Sequence, residues 1–338
     1  MKRMKYPVII GVLCVSIAVM GLYASGLSHP VAKDITENSS AGWFETIKRQ
    51  GPDKAYALFK QKNDTRSQEE VHVDAHVFGK ALYRAEGVQG VTVCDSAYGF
   101  GCYHQFFLSA IADKGLSVVK ELDDACVAKF GLGGQGCQHG IGHGVFEYLA
   151  QSLPKALDVC GTMQWQEPLF GCQGGVFMEY NFPTFIEATG SRPQARQFDQ
   201  SHPYEPCPAV ALRFRLACYY AQTEWWDKGT SLNYREMGEL CAAIREKDFR
   251  EICFKAIGYS AVSANGFKLD KAVTACGAMP DADSLLLCRS GVLWGFWDSG
   301  TIYRRTALQA CSDLGEPLAS RCKQEADLLH EGINWSYQ

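Results

Sequence analysis

The chain has 338 residues, with 33 lysines and arginines against 37 aspartates and glutamates, and a formal net charge of −4. Its 47% hydrophobic and 21% charged residues are typical of a folded protein and exclude an extensively disordered one. A basic excess, which nucleic-acid binders need, is absent, so we expect no nucleic-acid partner. The length suits two ordinary domains or one long repeat array.

The N-terminus has the pattern of an export signal. Lys2 and Arg3 precede an apolar stretch at 7–23, as in a charged n-region followed by an h-region. We therefore expect residues 1–26 to be either a signal peptide cleaved after Gly26 or an uncleaved inner-membrane anchor, which would make the membrane a partner. In both cases the body of the protein is periplasmic or otherwise extracytoplasmic.

Residues 27–70 are predicted to form a tether and then capping helices, which lie at 41–62 and are broken at Gly51 and Pro52. Residues 71–338 are predicted to form a repeat domain. An insertion within 182–206, rich in proline, is predicted to be an exposed loop.

Cysteine spacing predicts the architecture. Apart from Cys14, the cysteines fall into seven pairs, whose second members are separated by 35, 35, 46, 35, 35 and 34 residues. The pairs are Cys94 with Cys102, Cys126 with Cys137, Cys160 with Cys172, Cys207 with Cys218, Cys241 with Cys253, Cys276 with Cys288, and Cys311 with Cys322. A period near 35 is typical of helical-hairpin solenoids. We predict an all-α protein, an α/α solenoid of about seven repeats of ~35 residues, each stapled by one disulfide.

The disulfide interpretation competes with one of metal-binding cysteines. Zinc sites of that kind use C-x2-C clusters, and the sequence contains none; it also contains no C-x-x-C-H, so we expect no covalent c-type haem. Each disulfide closes a short loop, which contributes about 3 kcal/mol in the chain-entropy model. Such bonds persist in an oxidising compartment, in agreement with export.

Each repeat shows one local pattern. A short helical segment is predicted to end at the first cysteine, and the second cysteine is predicted to open a longer helix that ends at a glycine, as at Gly115 and Gly266. A small residue such as Gly175 or Gly291, three positions after the second cysteine, allows neighbouring helices to approach closely. In period, cysteine pairs and glycine-ended helices the chain resembles Sel1-like, cysteine-rich repeat proteins, a resemblance of architecture that implies no function.

Histidines concentrate at one end of this array. His104 and His139 both lie two residues after the second cysteine of their repeats. His76 occupies the same position in a degenerate preceding unit that lacks cysteines. Later units carry other residues there: Gly174, Tyr220, Lys255, Ser290 and Gln324. A residue needed for helix packing would recur in every unit. Histidine occurs at this position in only three consecutive units, which is typical of a functional site.

Two of the three units add a second histidine one helical turn away. His72 precedes His76 by four residues and His143 follows His139 by four, a spacing that places both imidazoles on one helix face. Glu147 extends the second pair by a further turn. The glycines around that pair, Gly140, Gly142 and Gly144, indicate a close approach by a neighbouring helix or by a cofactor.

We therefore predict metal ligation by His76, His104, His139 and His143, with His72 and Glu147 as auxiliary ligands. Histidine-rich ligation outside the cytoplasm favours copper or zinc, and then non-haem iron if Glu147 binds. The spacing is compatible with two metals, with one metal held by a subset of ligands, or with a b-type haem. The alternative is a set of hydrogen-bonded core histidines, which is how we interpret His29, His202 and His330. Glu179 and Glu224 fall near the His143 layer and are weaker candidates.

Three functions remain open on the sequence alone. The first is an exported metal-binding repeat protein; whether it is an enzyme is undetermined, because no G-x-S-x-G, phosphate loop or dinucleotide motif is present. The second is a non-catalytic scaffold whose concave face holds a protein, peptide, glycan or small-molecule partner. The third is a thiol–disulfide exchanger, disfavoured by the spacing of the pairs. The tryptophans of the later repeats are interpreted as core residues that would line a groove only in the scaffold.

Overall fold

The computed structural model describes residues 39–66, 68–95, 97–131, 135–163, 169–182, 196–229, 233–299 and 303–330. Most of these residues are helical, and none of them lies in a β-strand. The α-helices are α1 (Ser40–Gln50), α2 (Pro52–Lys62), α3 (Gln68–Glu86), α4 (Gly101–Lys114), α5 (Val119–Phe130), α6 (Gln135–Tyr148), α7 (Leu153–Cys160), α8 (Cys172–Asn181), α9 (Leu212–Gly229), α10 (Tyr234–Ala242), α11 (Lys247–Ala264), α12 (Leu269–Cys276), α13 (Ala282–Asp298), α14 (Arg304–Gln309) and α15 (Leu318–His330). Two 3₁₀ helices span Gly87–Thr92 and Gly115–Val118.

Two helices precede α3, and they break at Gly51 and Pro52, where the sequence predicted a break. Gly51, at a φ of 86°, ends α1, and Pro52 opens α2, because the missing N–H of proline is harmless in a first helical turn. Both helices pack against α3. Asp95, next to the first disulfide, accepts hydrogen bonds from the Tyr56 hydroxyl (2.6 Å) and the Lys60 ammonium (2.9 Å). The capping helices are therefore tied to the first repeat by polar contacts as well as by packing.

All seven predicted disulfides are present. Each joins the two cysteines of one pair across a sequence separation of 8 to 12 residues, with Cα atoms 5.4–5.7 Å apart. Their sulfur atoms lie in the core, since all fourteen cysteines are buried. The bonds are Cys94 to Cys102, Cys126 to Cys137, Cys160 to Cys172, Cys207 to Cys218, Cys241 to Cys253, Cys276 to Cys288, and Cys311 to Cys322. The pairing prediction is confirmed, and so many disulfides indicate an oxidising, extracytoplasmic environment.

The prediction that the second cysteine of each pair opens the longer helix is only partly correct. Cys172 is the first residue of α8, and Cys102 and Cys137 lie in the first turns of α4 and α6. In the later repeats the prediction is wrong, because the second cysteine lies one to two turns inside its helix. These cysteines are Cys218 in α9, Cys253 in α11, Cys288 in α13 and Cys322 in α15.

Local capping explains where one of these later helices begins. At the start of α13 the Asp281 carboxylate accepts a hydrogen bond from the Ser284 N–H, and the Ser284 hydroxyl accepts one from the Asp281 N–H. This capping box satisfies N–H groups of the first turn, which have no partner within the helix. The helix therefore starts at its cap, seven residues before Cys288, and not at the disulfide.

The longer helices pack on one another in chain order. From α3 the contacts run through α4, α6, α8, α9, α11 and α13 to α15, and each shorter helix packs against the long helices of its own hairpin or the next. Trp225, Trp226 and Trp294 of these long helices are almost completely buried. Their interpretation as core residues is confirmed.

Glycines set the distance between α6 and α8. A Cβ atom at Gly142 would lie 2.0 Å from the Cys172 carbonyl oxygen, and one at Gly175 would lie 2.0 Å from the His139 carbonyl oxygen. No side chain fits at either position without separating the helices. The glycines around His139 are therefore explained by helix packing, and not by a cofactor.

The same reciprocal contact recurs further along the chain. A Cβ at Gly291 would lie 1.7 Å from the Lys255 carbonyl oxygen of α11, just as Gly175 meets His139, and Gly258 meets the carbonyl of Cys288. Lys255 and His139 occupy equivalent repeat positions. His139 and Lys255 therefore make the same kind of close contact with a glycine of the next long helix.

Some predicted segments lie outside the described residues. These include the N-terminal stretch at 7–23 and most of the insertion at 182–206. Among the helices that are described, none is both long enough and apolar enough to cross a membrane. The signal or anchor at the N-terminus, and the division into segments 1–26, 27–70 and 71–338, stay predictions.

Candidate metal centre

The equivalent histidines of the first three units lie side by side. His76 of α3, His104 of α4 and His139 of α6 sit on helices that pack consecutively, and His72 and His143 lie one turn away from them. Imidazole ring centroids of neighbouring members are 4.5–5.6 Å apart. The structure therefore brings all five predicted histidines into one cluster, which we call the histidine cluster.

Three imidazole nitrogens converge at the α3 end of the cluster. His76 Nε2 lies 3.1 Å from His72 Nε2 and 3.2 Å from His104 Nδ1. His72 Nδ1 is 2.7 Å from the Tyr98 carbonyl oxygen; because a carbonyl only accepts, this nitrogen carries a hydrogen. In a neutral ring His72 Nε2 then presents its lone pair to the other two histidines. We call His72, His76 and His104 the first triad.

A second group of three lies beside the first. His104, His139 and His143 each offer one nitrogen, and these atoms lie within 4.8 Å of one another. His104 and His143 are buried, whereas His139 is partly exposed. We call these residues the second triad. His104 belongs to both triads, and no larger group of potential ligands is found among the described residues.

A buried carboxylate orients one member of the second triad. His143 Nδ1 lies 2.6 Å from Glu179 Oε2 of α8, and both side chains are at most 1% exposed. A histidine that gives one N–H to a carboxylate has its other nitrogen fixed as a metal ligand, an arrangement found at many metal sites. Glu147, the predicted auxiliary ligand, belongs to neither triad. The sequence pointed to Glu179 only weakly, through its position in the repeat.

Backbone and aromatic groups close the cluster on the side of the later repeats. His139 is hydrogen-bonded to the backbone of Phe170, whose ring packs on Tyr220 and Tyr259 at centroid distances of 5.2 and 5.4 Å. A Cβ at Gly174, the residue equivalent to His139, would lie 2.1 Å from the Leu169 carbonyl oxygen. Backbone therefore occupies the place where the next repeat would otherwise add a side chain.

His76, His104 and His139 have lowered pKa values. Burial, together with His72 and His143 nearby, lowers the pKa of His76 to about 3. Burial and the neighbouring histidines also lower the pKa of His104 and that of His139 well below the usual 6.5. Neutral imidazoles are the form that binds metal ions, so these three residues are ready to act as ligands at neutral pH.

The remaining histidines do not join the cluster. His202 is exposed, and its Nδ1 lies 2.9 Å from the Asp199 carboxylate. His29 and the side chain of His330 lie outside the described residues. His202 thus offers a control position for experiments on the cluster.

Comparison with known proteins gave no match. The chain matches no protein-family model, no curated protein and no solved structure. The resemblance to Sel1-like repeat proteins remains one of period and cysteine pairing. The evidence for a function therefore lies in the histidine cluster itself.

Proposed function

We propose that this is an exported metal-binding helical-repeat protein whose histidine cluster holds a transition-metal ion. The observation that carries the proposal is the convergence of His72, His76 and His104 through nitrogens 3.1–3.2 Å apart. A tetrahedral ion with metal–nitrogen bonds of 2.0–2.1 Å separates its ligand nitrogens by about 3.3 Å. The three nitrogens thus have the spacing of one ion's ligand set, and because His76 Nε2 carries at most one hydrogen, it cannot donate a full hydrogen bond to both neighbours.

The donor set favours copper or zinc. Both triads consist of imidazoles alone, which suit these ions, whereas non-haem iron sites commonly combine two histidines with a carboxylate. A b-type haem is left out of the proposal, because nitrogens 3.1 Å apart leave no room for a porphyrin between them, and the glycine contacts hold α6 against α8.

The repeat architecture is part of the same proposal. Chain-order packing of the long helices and the recurring glycine contacts support an α/α solenoid of seven disulfide-stapled hairpins. The disulfides and the basic, then apolar, N-terminus support export to the periplasm. Residues 7–23 would act as the signal or the anchor.

Three histidines per ion leave a coordination position for water or a small ligand. An ion held in this way can act as a Lewis acid, activate water or change redox state. His72, His76 and His139 are only partly buried, so solvent reaches the cluster. The site therefore supports a metalloenzyme or a metal carrier, and its substrate stays unassigned.

Under the scaffold alternative, tryptophans of the later repeats would contact the partner. Trp225, Trp226 and Trp294 are nearly completely buried, so they offer no exposed aromatic surface to a partner. Replacing them would unfold the protein and would not selectively prevent binding. The metal proposal is accordingly the better supported of the two.

The test is metal content. The full chain, exported to an oxidising periplasm and purified without chelator or affinity tag, should contain stoichiometric copper or zinc by elemental analysis. The triple variant His76→Ala/His104→Ala/His139→Ala should lose the metal, whereas His202→Ala should keep it. A well-folded, metal-free wild type that takes up neither added Cu(II) nor Zn(II) would refute the proposal.

A further inference from the structure

His104 is the residue that the two triads share. Its Nδ1 is 3.2 Å from His76 Nε2 in the first triad, and its ring centroid is 4.5 Å from that of His143 in the second. The side chain is 3% exposed. Its Nε2 atom is buried and has no hydrogen-bond partner among the described residues. A buried polar nitrogen of this kind costs free energy unless something binds it.

The two triads are anchored separately. In the first, His72 donates to the Tyr98 carbonyl; in the second, His143 is held by Glu179. Among the described residues no single group collects all five histidines, and only His104 is shared. Separate anchoring of two outer histidine pairs around one shared ring favours two ions over one.

Imidazole chemistry allows the shared ring to serve both sides. A neutral imidazole has one N–H and one lone pair, so it binds one metal; after loss of that proton, both nitrogens can coordinate. Binding of a second ion at Nε2 would replace the N–H proton, which leaves to solvent, and no oxidation state changes. The buried Nε2 atom would thereby gain a partner.

We propose that the histidine cluster is a two-copper centre in which His104 bridges the ions as an imidazolate. His72, His76 and His104 Nδ1 hold one Cu(II), and His104 Nε2, His139 and His143 hold the other. The inference rests on the proposed function, and it adds the number of ions and the bridging residue. Each ion has three nitrogen ligands and one position for a water or a small anion.

The experiment is a Cu(II) titration of the metal-free full chain, followed by electron paramagnetic resonance. Wild type should bind two Cu(II) per chain, with an integrated signal well below two spins, because an imidazolate bridge couples the two unpaired electrons. His72→Ala/His76→Ala and His139→Ala/His143→Ala should each bind one Cu(II) with a full one-spin signal. His202→Ala should behave as wild type.

The outcomes separate this inference from the proposed function. If wild type binds one Cu(II), and replacing either outer histidine pair abolishes that binding, the proposed bridge is wrong. The proposed function of metal binding would still stand. Two Cu(II) with a full two-spin signal would also overturn the bridge, and no uptake at all would overturn both proposals. His104→Gln, whose fold is checked by circular dichroism, should abolish the coupling; coupling that survives in it would likewise overturn the bridge.

Discussion

The imidazole of His143 and the carboxylate of Glu179 form a hydrogen bond of 2.6 Å between two helices, with both side chains buried. The bond crosses from α6 to α8, the pair of helices that glycines hold in close contact. It therefore joins the packing of the array to the orientation of a candidate ligand. A change in the packing of these helices should therefore change the affinity of the site for metal.

Glu179→Gln should weaken metal binding without unfolding the protein. Glutamine still offers an oxygen to His143 Nδ1 but removes the charge that strengthens the hydrogen bond and the ligand basicity. We expect a 10–100-fold loss of affinity, measured by competition with a chromophoric chelator. The matched control is Glu147→Gln, which lies outside both triads and should change affinity little. Equal effects of the two variants would contradict the role given to Glu179.

The metal-free protein should lose stability as the pH falls from 7 to 5. The pKa of His76 is lowered to about 3, and those of His104 and His139 are lowered as well. Below pH 6.5 the unfolded chain thus binds more protons than the folded one, and stability declines until the folded pKa is reached. Each histidine contributes up to about 1.4 kcal/mol per pH unit. Urea unfolding of chelator-treated protein measures the slope.

The decline in the free energy of unfolding from pH 7 to pH 5 should be shallower in His76→Gln, because this variant lacks one of the titrating groups. Replacing the exposed His202, whose pKa is raised by Asp199, should not make it shallower. A free energy of unfolding that is constant between pH 7 and pH 5 would contradict the prediction, because it would mean that these histidines have the same pKa in the folded and the unfolded chain.

Gly175→Ala should both destabilise the protein and disturb the metal site. The new Cβ would meet the His139 carbonyl oxygen, and overpacking of this kind costs about 1–3 kcal/mol. Gly291→Ala makes the equivalent clash with Lys255, far along the chain from the histidines. It should destabilise by a similar amount and leave metal affinity unchanged. Equal loss of affinity in both variants would argue against a direct effect on His139.

Removing one disulfide should cost stability but not metal. Cys276→Ala/Cys288→Ala opens a loop whose ends are 12 residues apart, and the chain-entropy model gives a loss of about 3 kcal/mol. The free energy of urea unfolding measures the loss, and elemental analysis should find the same metal content as in wild type. An unchanged free energy of unfolding would show that this disulfide does not stabilise the folded protein.

The sequence alone determined the features that depend on local spacing. Cysteines 8 to 12 residues apart can meet only across a tight hairpin, so all seven pairs were predictable. The repeat period then placed His76, His104 and His139 at equivalent positions, and the four-residue spacing added His72 and His143. Gly51 and Pro52 likewise marked the break between the capping helices, since each has a conformational preference of its own.

Only the tertiary structure decided which groups face one another across helices. Its four-residue spacing from His143 predicted that Glu147 lies on the same helix face. The carboxylate that is hydrogen-bonded to His143 is, however, that of Glu179 on the neighbouring helix α8. The shared position of His104 is equally invisible in the sequence, because it depends on how closely α4 packs between α3 and α6. Spacing along one helix fixes a direction, but contacts between helices depend on packing distance and rotation, which the whole core sets.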